Sequence, residues 1–211
     1  MALTNHDAPA APAGEVAPPE DPFIVLHGVP WEQYVAVSEV LGEGHPCLKM
    51  VYLEGTLEIT VRGPRHEREK TKLARLIEFY VAEKDIFVEG YGEMTRRRKD
   101  ALRGLEPDEC YLFGRELESE DMSIPPDLAL EITITSGYIE KLEVYRGLQV
   151  PEVWFWKDGR LEVHRLAGTK YVKKKRSGFL PDLDLTALAR FAAMPGQTAA
   201  IRAFRDWLRG R

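Results

Sequence analysis

The chain has 211 residues, of which 44% are hydrophobic and 30% charged, so it can build one sizeable core and is unlike a globally disordered protein. Its formal charge of -5 excludes a polycation that coats nucleic acid along its whole surface. The two cysteines, Cys47 and Cys110, are too few for a disulfide framework, lack the paired spacing of a zinc site, and fit a reducing cytoplasm.

The first 22 residues combine small side chains with five prolines and show no periodicity. Such a segment cannot repay the entropy of ordering, so we expect a disordered tail over residues 1–22 and a single domain over residues 23–211. The chain lacks a basic start followed by an apolar block, and no apolar run reaches the length of a membrane span. We expect a soluble cytoplasmic protein.

The first half of this domain contains a helix, a hairpin and a second helix. Residues 31–41 fit a short helix, and residues 48–54 and 56–62 read as two strands joined at Glu54-Gly55. The next helix carries one apolar stripe, which consists of Leu73, Leu76, Ile77, Tyr80 and Val81.

Extended backward, this stripe includes His66 and Glu69, whereas Glu67 points away from it. Polar groups on the inward face near a helix start indicate a site. A first turn that protrudes into water explains them equally well, and the sequence leaves open which of the three faces a site.

The second half alternates strands and helices less regularly. Strands are expected over residues 85–89, 93–98, 108–113, 126–135, 152–156, 161–166 and 170–175, and helices over 139–150, 183–194 and 198–208. This order favours an α+β (mixed α/β) class, with a mixed sheet and helices packed on it.

Two local basic clusters stand out against the acidic whole. They lie at residues 96–99 and at residues 170–176, where Tyr171 is interleaved. Each can contact phosphates, and each is also explained by a solvated strand face.

Carboxylates embedded in two apolar strands are the strongest chemical signal. Asp108 begins one strand, and Glu131 shares a face of the other with Thr133 and Thr135. A buried carboxylate must be paired, hydrogen-bonded or bound to a cation. If the strands are neighbours, Asp108 and Glu131 can converge on one magnesium ion, and Lys141, at the start of the next helix, can reach back to orient a water or neutralise a phosphate.

The ordered series of motifs resembles the bacterial Uma-type family of restriction endonucleases, within the PD-(D/E)xK nuclease superfamily. The resemblance is carried by residues 104–113, 125–136, Lys141-Leu142 with Tyr145, Gly147 and 150–154, and by residues 54–59 and 64–67 before them. It covers roughly residues 25–190. It implies a restriction-endonuclease-like central mixed β-sheet flanked by α-helices.

The resemblance also implies roles for individual residues. Asp108 corresponds to the motif aspartate, Glu131 to the acidic residue of the following strand, and Lys141 to a displaced lysine. The superfamily pattern expects lysine two residues after Glu131, but Thr133 stands there and carries no charge. Asp127 also follows a proline and is interpreted as a structural or supporting residue.

Two functions compete. The first is a metal-dependent endonuclease that hydrolyses phosphodiester bonds in DNA, in which Asp108 and Glu131 hold Mg²⁺ or Mn²⁺, Lys141 assists the attacking water, and His66 or Glu69 supports the site. The alternative is a catalytically impaired module of the same fold that binds nucleic acid or a protein partner.

A homodimer is one option for cutting both DNA strands, since Ile201, Phe204 and Leu208 form an apolar face on the last helix. Packing of that face within its own chain is the other.

Overall fold

The computed structural model describes residues 21–45, 47–117 and 124–210. The tail expected over residues 1–22 therefore lies almost wholly outside the described residues. The described helices are α1 (Trp31–Gly44), α2 (Pro64–Glu83), α3 (Lys141–Leu148), α4 (Leu185–Ala192) and α5 (Gln197–Arg209).

The strands form two sheets. The first sheet is antiparallel throughout, has the order β1-β3-β2-β6-β5, and consists of β1 (Phe23–His27), β2 (Leu48–Leu53), β3 (Thr56–Val61), β5 (Arg96–Arg98) and β6 (Arg103–Leu105). The second sheet has the order β11-β10-β9-β8-β7-β4 and consists of β4 (Val88–Gly90), β7 (Glu109–Phe113), β8 (Leu128–Thr133), β9 (Glu152–Lys157), β10 (Arg160–Ala167) and β11 (Lys170–Lys174). It is mixed, because β8 and β9 are parallel and its other pairs are antiparallel.

The α+β class and the mixed sheet with flanking helices are confirmed, but the strands divide between two sheets. The division falls between β6, which pairs with β2, and β7, which pairs with β8. Pro107 lies in the short connection and has no N–H to donate, so a ladder cannot continue through it. The chain passes from one sheet to the other at this point.

The predicted β2–β3 hairpin is present. Its two turn residues, Glu54 and Gly55, both have positive φ, at 47° and 87°. Two consecutive residues with positive φ match the right-handed twist of the flanking strands. Leu53 and Thr56 are therefore brought opposite each other.

The apolar stripe of α2 packs on the second sheet. Leu73, Leu76 and Ile77 are fully buried in one cluster with Ile132 and Trp156. The helix lies on the face of β8 opposite to Glu131, because adjacent residues of a strand point to opposite sides. This packing fixes the start of α2 beside the junction of the two sheets.

The apolar face of α5 packs within the chain. Phe204 is fully buried, and its ring lies 6.4 Å from that of Phe79 on α2 and 5.4 Å from that of Phe191 on α4. Ile201 and Leu208 pack at the edge of the same cluster. Of the two expectations for this helix, packing within the chain is the one observed.

A membrane-spanning helix must be long and apolar along most of its length. None of the described helices is both long and apolar enough to cross a bilayer.

Candidate active site

Asp108 and Glu131 come together because β7 and β8 are antiparallel neighbours. Glu109 pairs with Leu130, and the N–H of Asp108 donates to the Leu130 carbonyl at 3.1 Å. Asp108 therefore lies just before the first paired residue of β7, beside Glu131. Both side chains are fully buried.

Lys49 joins the two carboxylates. Its Nζ lies 2.6 Å from Asp108 Oδ1 and 2.9 Å from Glu131 Oε2. Lys49 lies on β2, where it shares with Val51 the face turned toward the second sheet, so it crosses from one sheet to the other. Burial lowers the pKa of the Lys49 ammonium, and the two carboxylates oppose that shift.

The outer oxygen of Asp108 is fixed by two donors. Oδ2 accepts the N–H of Ile132 at 2.6 Å, and Nε2 of His66 lies 3.2 Å away. Burial alone would raise the pKa of Asp108, but the Lys49 ammonium, the His66 hydrogen bond and the nearby Arg62 guanidinium hold it well below its usual value. Asp108 is therefore an ionised acceptor.

Glu131 is held in the same manner. The hydroxyl of Tyr145 donates to Oε1, and Lys141 Nζ lies 2.6 Å from Oε2. Burial and the neighbouring Glu131 raise the pKa of Tyr145 well above its usual value, so its hydroxyl stays protonated and remains a donor. Burial would lower the pKa of Lys141, but the carboxylates of Glu131 and Asp108 raise it.

The loop from β8 to α3 places Lys141 and is tied to β3 by Glu58. Oε2 of this buried carboxylate accepts the N–H of Tyr138 at 2.6 Å and that of Ile139 at 2.8 Å. A Cβ at Gly137 would lie 2.2 Å from Glu58 Oε1, so any larger residue there would displace this carboxylate. The loop is held close enough for Lys141 to reach Glu131.

A second layer of ion pairs surrounds His66. Nη1 of Arg62 lies 2.8 Å from Glu93 Oε1 and 3.7 Å from Asp108 Oδ1. Lys70 pairs with Glu93 and, at 2.7 Å, with Glu67. Because Arg62 is shared with Glu93, the two central carboxylates are balanced chiefly by Lys49 and Lys141.

A cleft of about 520 Å³ lies beside Lys141, and neither Asp108 nor Glu131 lines it. Thr133 and Lys141 line it, and one-fifth of the Lys141 side chain is exposed there. Lys141 therefore connects the cleft to the buried Glu131. A ligand in the cleft meets this ammonium before it meets either carboxylate.

Not every residue expected at the site lies there. Glu69 accepts the indole N–H of Trp156 at 2.7 Å, on the side of the second sheet opposite to Glu131. Asp127 accepts the N–H of Phe113 at 2.9 Å and pairs with Arg115 at 2.8 Å, at the far end of β8 from Thr133. Glu69 and Asp127 thus contact neither carboxylate of the site.

Thr133 lies at the cleft rather than at the two carboxylates. It pairs in register with Lys157 and lines the cleft beyond Glu131. Its hydroxyl can meet a ligand but does not supply the charge that a lysine would. Lys49 supplies an ammonium group at the carboxylates instead.

Lys49 and Tyr145 were missed as site residues in the sequence. Lys49 stands in the strand Leu48–Leu53, whose other residues are apolar, so a charge there needed a buried partner as much as Glu131 did. Tyr145 lies four residues after Lys141 and therefore on the same side of α3. This spacing is the feature of the sequence that could have identified it.

The donor set fits a hard divalent cation. The Lys49 ammonium occupies a cation position shared by Oδ1 and Oε2, and Mg²⁺ often takes only one or two protein carboxylates, with water and substrate phosphate completing its shell. Within the described residues no group of three or more His, Cys, Asp or Glu side chains is arranged to hold a metal. The two-carboxylate arrangement is therefore the one to consider.

A mixed sheet with flanking helices thus carries two buried carboxylates on adjacent strands. The chain belongs to the Uma2 family, described as "Putative restriction endonuclease", whose family model matches residues 31–194.

Among solved structures, the chain is similar to the crystal structure of a "putative nuclease belonging to DUF820" from Anabaena variabilis. The two are 17% identical, with a TM-score of 0.45, over 66% of this chain and 90% of the other. A search of curated proteins gave no match.

Proposed function

We propose that the protein is a metal-dependent endonuclease that hydrolyses phosphodiester bonds in DNA, with Mg²⁺ or Mn²⁺ held by Asp108 and Glu131. The observation that carries this proposal is that one oxygen of each carboxylate, Oδ1 and Oε2, shares a single cation. Family membership supports the reaction class.

The other two oxygens are held by separate donors, so Oδ1 and Oε2 are the pair that faces Lys49, and Oε2 also binds Lys141. Ile132 N–H and His66 hold Oδ2 of Asp108, and Tyr145 holds Oε1 of Glu131. Donors fixed in this way preorganise a site, since they need no rearrangement during reaction. Oδ1 and Oε2 are left to face the cation position.

A bound divalent ion would supply an activated water and stabilise charge on the phosphoryl oxygens. The residues of the chain do the rest. Lys141, at the wall of the cleft, orients the attacking water and neutralises a phosphate oxygen, while His66 keeps Asp108 ionised and oriented. Thr133 offers a hydroxyl to the substrate from the same wall.

Charge balance makes metal binding dependent on substrate. Two carboxylates already face Lys49 and Lys141, so a divalent ion adds excess positive charge unless Lys49 withdraws or an anionic phosphate enters. We therefore expect tighter metal binding in the presence of DNA.

The same contacts favour a second candidate, a nucleic-acid-binding module without turnover. All four oxygens of Asp108 and Glu131 already have a donor from the chain, and Thr133 replaces the lysine of the superfamily pattern. In this candidate Lys49 permanently occupies the cation position.

The experiment compares wild type with Asp108→Asn by Mg²⁺ and Mn²⁺ calorimetry and by plasmid nicking. Asp127→Asn is the matched control, because it also follows a proline but lies outside the site. We expect metal binding and nicking to be lost in Asp108→Asn and retained in Asp127→Asn.

Inactive wild type that still binds DNA would favour the module without turnover. Nicking by Asp108→Asn at the wild-type rate would overturn the assignment of the metal site.

A further inference from the structure

The face of the second sheet that carries Glu131 continues across three more strands. In register, Glu131 lies opposite Phe155 and Thr133 opposite Lys157; Phe155 then lies opposite Glu162, and Lys157 opposite Arg160. Paired residues share a face of the sheet. The surface beside the carboxylates therefore extends sideways to β10.

The same face reaches the edge strand through a second row. Val153 lies opposite His164, which lies opposite Lys173 on β11. Lys157, Arg160 and Lys173 are exposed, and we call these three residues the basic strip. Lys170 and Lys174 also lie on β11 and are exposed, but they belong to the opposite face.

The strip and the cleft form one surface. Lys157, Arg160 and His164 line the cleft together with Thr133 and Lys141. At the inner end of this surface Lys141 binds Glu131 at 2.6 Å. The acidic side chains Glu140, Asp158 and Glu162 line the same cleft, so the positive groups alternate with negative ones.

Two members of the strip retain charge for a ligand. Neither Lys157 nor Arg160 pairs with a carboxylate in the described part of the chain; Lys157 donates to the Ser136 hydroxyl at 2.8 Å. Lys173 instead pairs with Glu162 at 2.6 Å, which neutralises one of the acidic side chains that line the cleft. Lys157 and Arg160 are therefore the two exposed cations of this surface that a polyanion could pair with.

The floor of the cleft is aromatic. The rings of Phe155 and His164 lie 5.6 Å apart, nearly perpendicular to each other at 88°. Aromatic floors beside a basic groove suit strands with unpaired bases, because every base has a face that can pack on a ring.

We infer that the basic strip binds the phosphates of a single nucleic-acid strand and leads that strand through the cleft to Asp108 and Glu131. This inference deepens the proposed function and rests on it. Lys157 and Arg160 contact backbone phosphates, and the aromatic floor receives a base.

The test measures binding rather than cleavage. In the Asp108→Asn background, which prevents turnover, a fluorescein-labelled single-stranded DNA oligonucleotide is titrated by fluorescence anisotropy over a series of salt concentrations. The test variant adds Lys157→Gln and Arg160→Gln, and the control adds Lys170→Gln and Lys174→Gln. Both pairs remove two exposed positive charges from the same part of the second sheet.

We expect the test variant to bind roughly tenfold more weakly, and its slope of log affinity against log salt to fall by about 0.7 for each phosphate that is no longer neutralised. The control should keep the affinity and slope of the parent. Equal losses of affinity in both variants, unchanged affinity in the test variant, or no measurable binding by the parent would overturn the inference.

The two proposals can fail separately. If DNA binding depends on Lys157 and Arg160 but wild type never cleaves DNA, the strip stands and the nuclease activity does not. If wild type cleaves DNA and the test variant binds as the parent does, the nuclease stands and the strip does not.

Discussion

Two buried carboxylate sites on opposite faces of the second sheet show how differently the chain uses acidic residues. Asp108 and Glu131 face two ammonium groups, from Lys49 and Lys141. Glu152, equally buried on the other face, accepts hydrogen bonds from the Trp154 indole at 2.7 Å, the Ser177 hydroxyl at 2.6 Å and the Gly178 N–H at 2.7 Å.

The difference lies in the donors. Three neutral donors hold Glu152 and tie the segment after β11 to β9, and its one cationic neighbour, Arg165, is more distant, with Nε 3.5 Å from Oε2. Asp108 and Glu131 are instead held by ammonium groups on flexible side chains, and the proposed metal site requires that Lys49 withdraws when a metal ion binds. Complete burial is therefore common to both sites, and their donors distinguish them.

The largest loss of folding stability is expected for Lys49→Met, which removes the cation between the two carboxylates. Breaking a buried ion pair by removing one partner costs about 3–5 kcal/mol, because the remaining charges are buried without compensation. Chemical denaturation would measure this loss. Mg²⁺ should raise the melting temperature of this variant more than that of wild type, since a ligand of the folded state stabilises it by mass action.

Lys170→Met is the control, because Lys170 is exposed on β11 and should change stability by less than about 0.5 kcal/mol. Wild-type stability for Lys49→Met would show that the Lys49 ion pairs contribute nothing to the fold.

Glu152→Ala should give the next largest effect, about 2–4 kcal/mol of destabilisation. It leaves the Trp154, Ser177 and Gly178 donors without their acceptor in a buried place. Glu152→Gln keeps one acceptor oxygen and should lose less. Denaturation with and without Mg²⁺ checks this, and a metal-dependent loss in either variant would break the contrast between the two sites.

The sequence predicted most of the architecture because its signals were local. The stripe from Leu73 to Val81 placed α2, and Glu54-Gly55 placed the β2–β3 turn; both are present. The division into two sheets was missed, although Pro107 marked its position. Strand pairing depends on contacts between distant residues, which one sequence does not display.

Within the site, the meeting of Asp108 and Glu131 required only that their strands be neighbours, and they are. Helical spacing put His66 on the inward stripe but left open whether it or a neighbour faces the site; in the structure His66 contacts Asp108. Glu69 lies on the same stripe one turn later. It binds Trp156 on the sheet face on which α2 packs, away from Glu131. Lys49 lies 59 residues before Asp108 on the other sheet, so no local spacing could join the two.

A third buried carboxylate site, at Glu58, holds a loop as Glu152 does and also positions Lys141, so its loss should reduce stability by an intermediate amount. Glu58→Ala leaves the N–H groups of Tyr138 and Ile139 unpaired, for a loss of about 1–3 kcal/mol. Because Lys141 follows this loop, DNA nicking should fall as well. Thermal unfolding measures the loss of stability, and the nicking assay measures the loss of activity. Glu58→Gln is the control, because it keeps an acceptor oxygen. Full nicking by Glu58→Ala would show that the position of this loop does not matter for activity.

The smallest effect is expected for Asp127→Asn, where the partner is near solvent. Asp127 pairs with Arg115, whose side chain is 53% exposed, and such pairs contribute about 0–1 kcal/mol. Asparagine still offers an oxygen to the Phe113 N–H, so we expect the hydrogen bond between β7 and the start of β8 to remain. Denaturation should show this small loss with metal binding unchanged. Reduced metal binding would place Asp127 in the site despite its position at the far end of β8, and a loss above about 2 kcal/mol would assign it the structural role that Glu152 has.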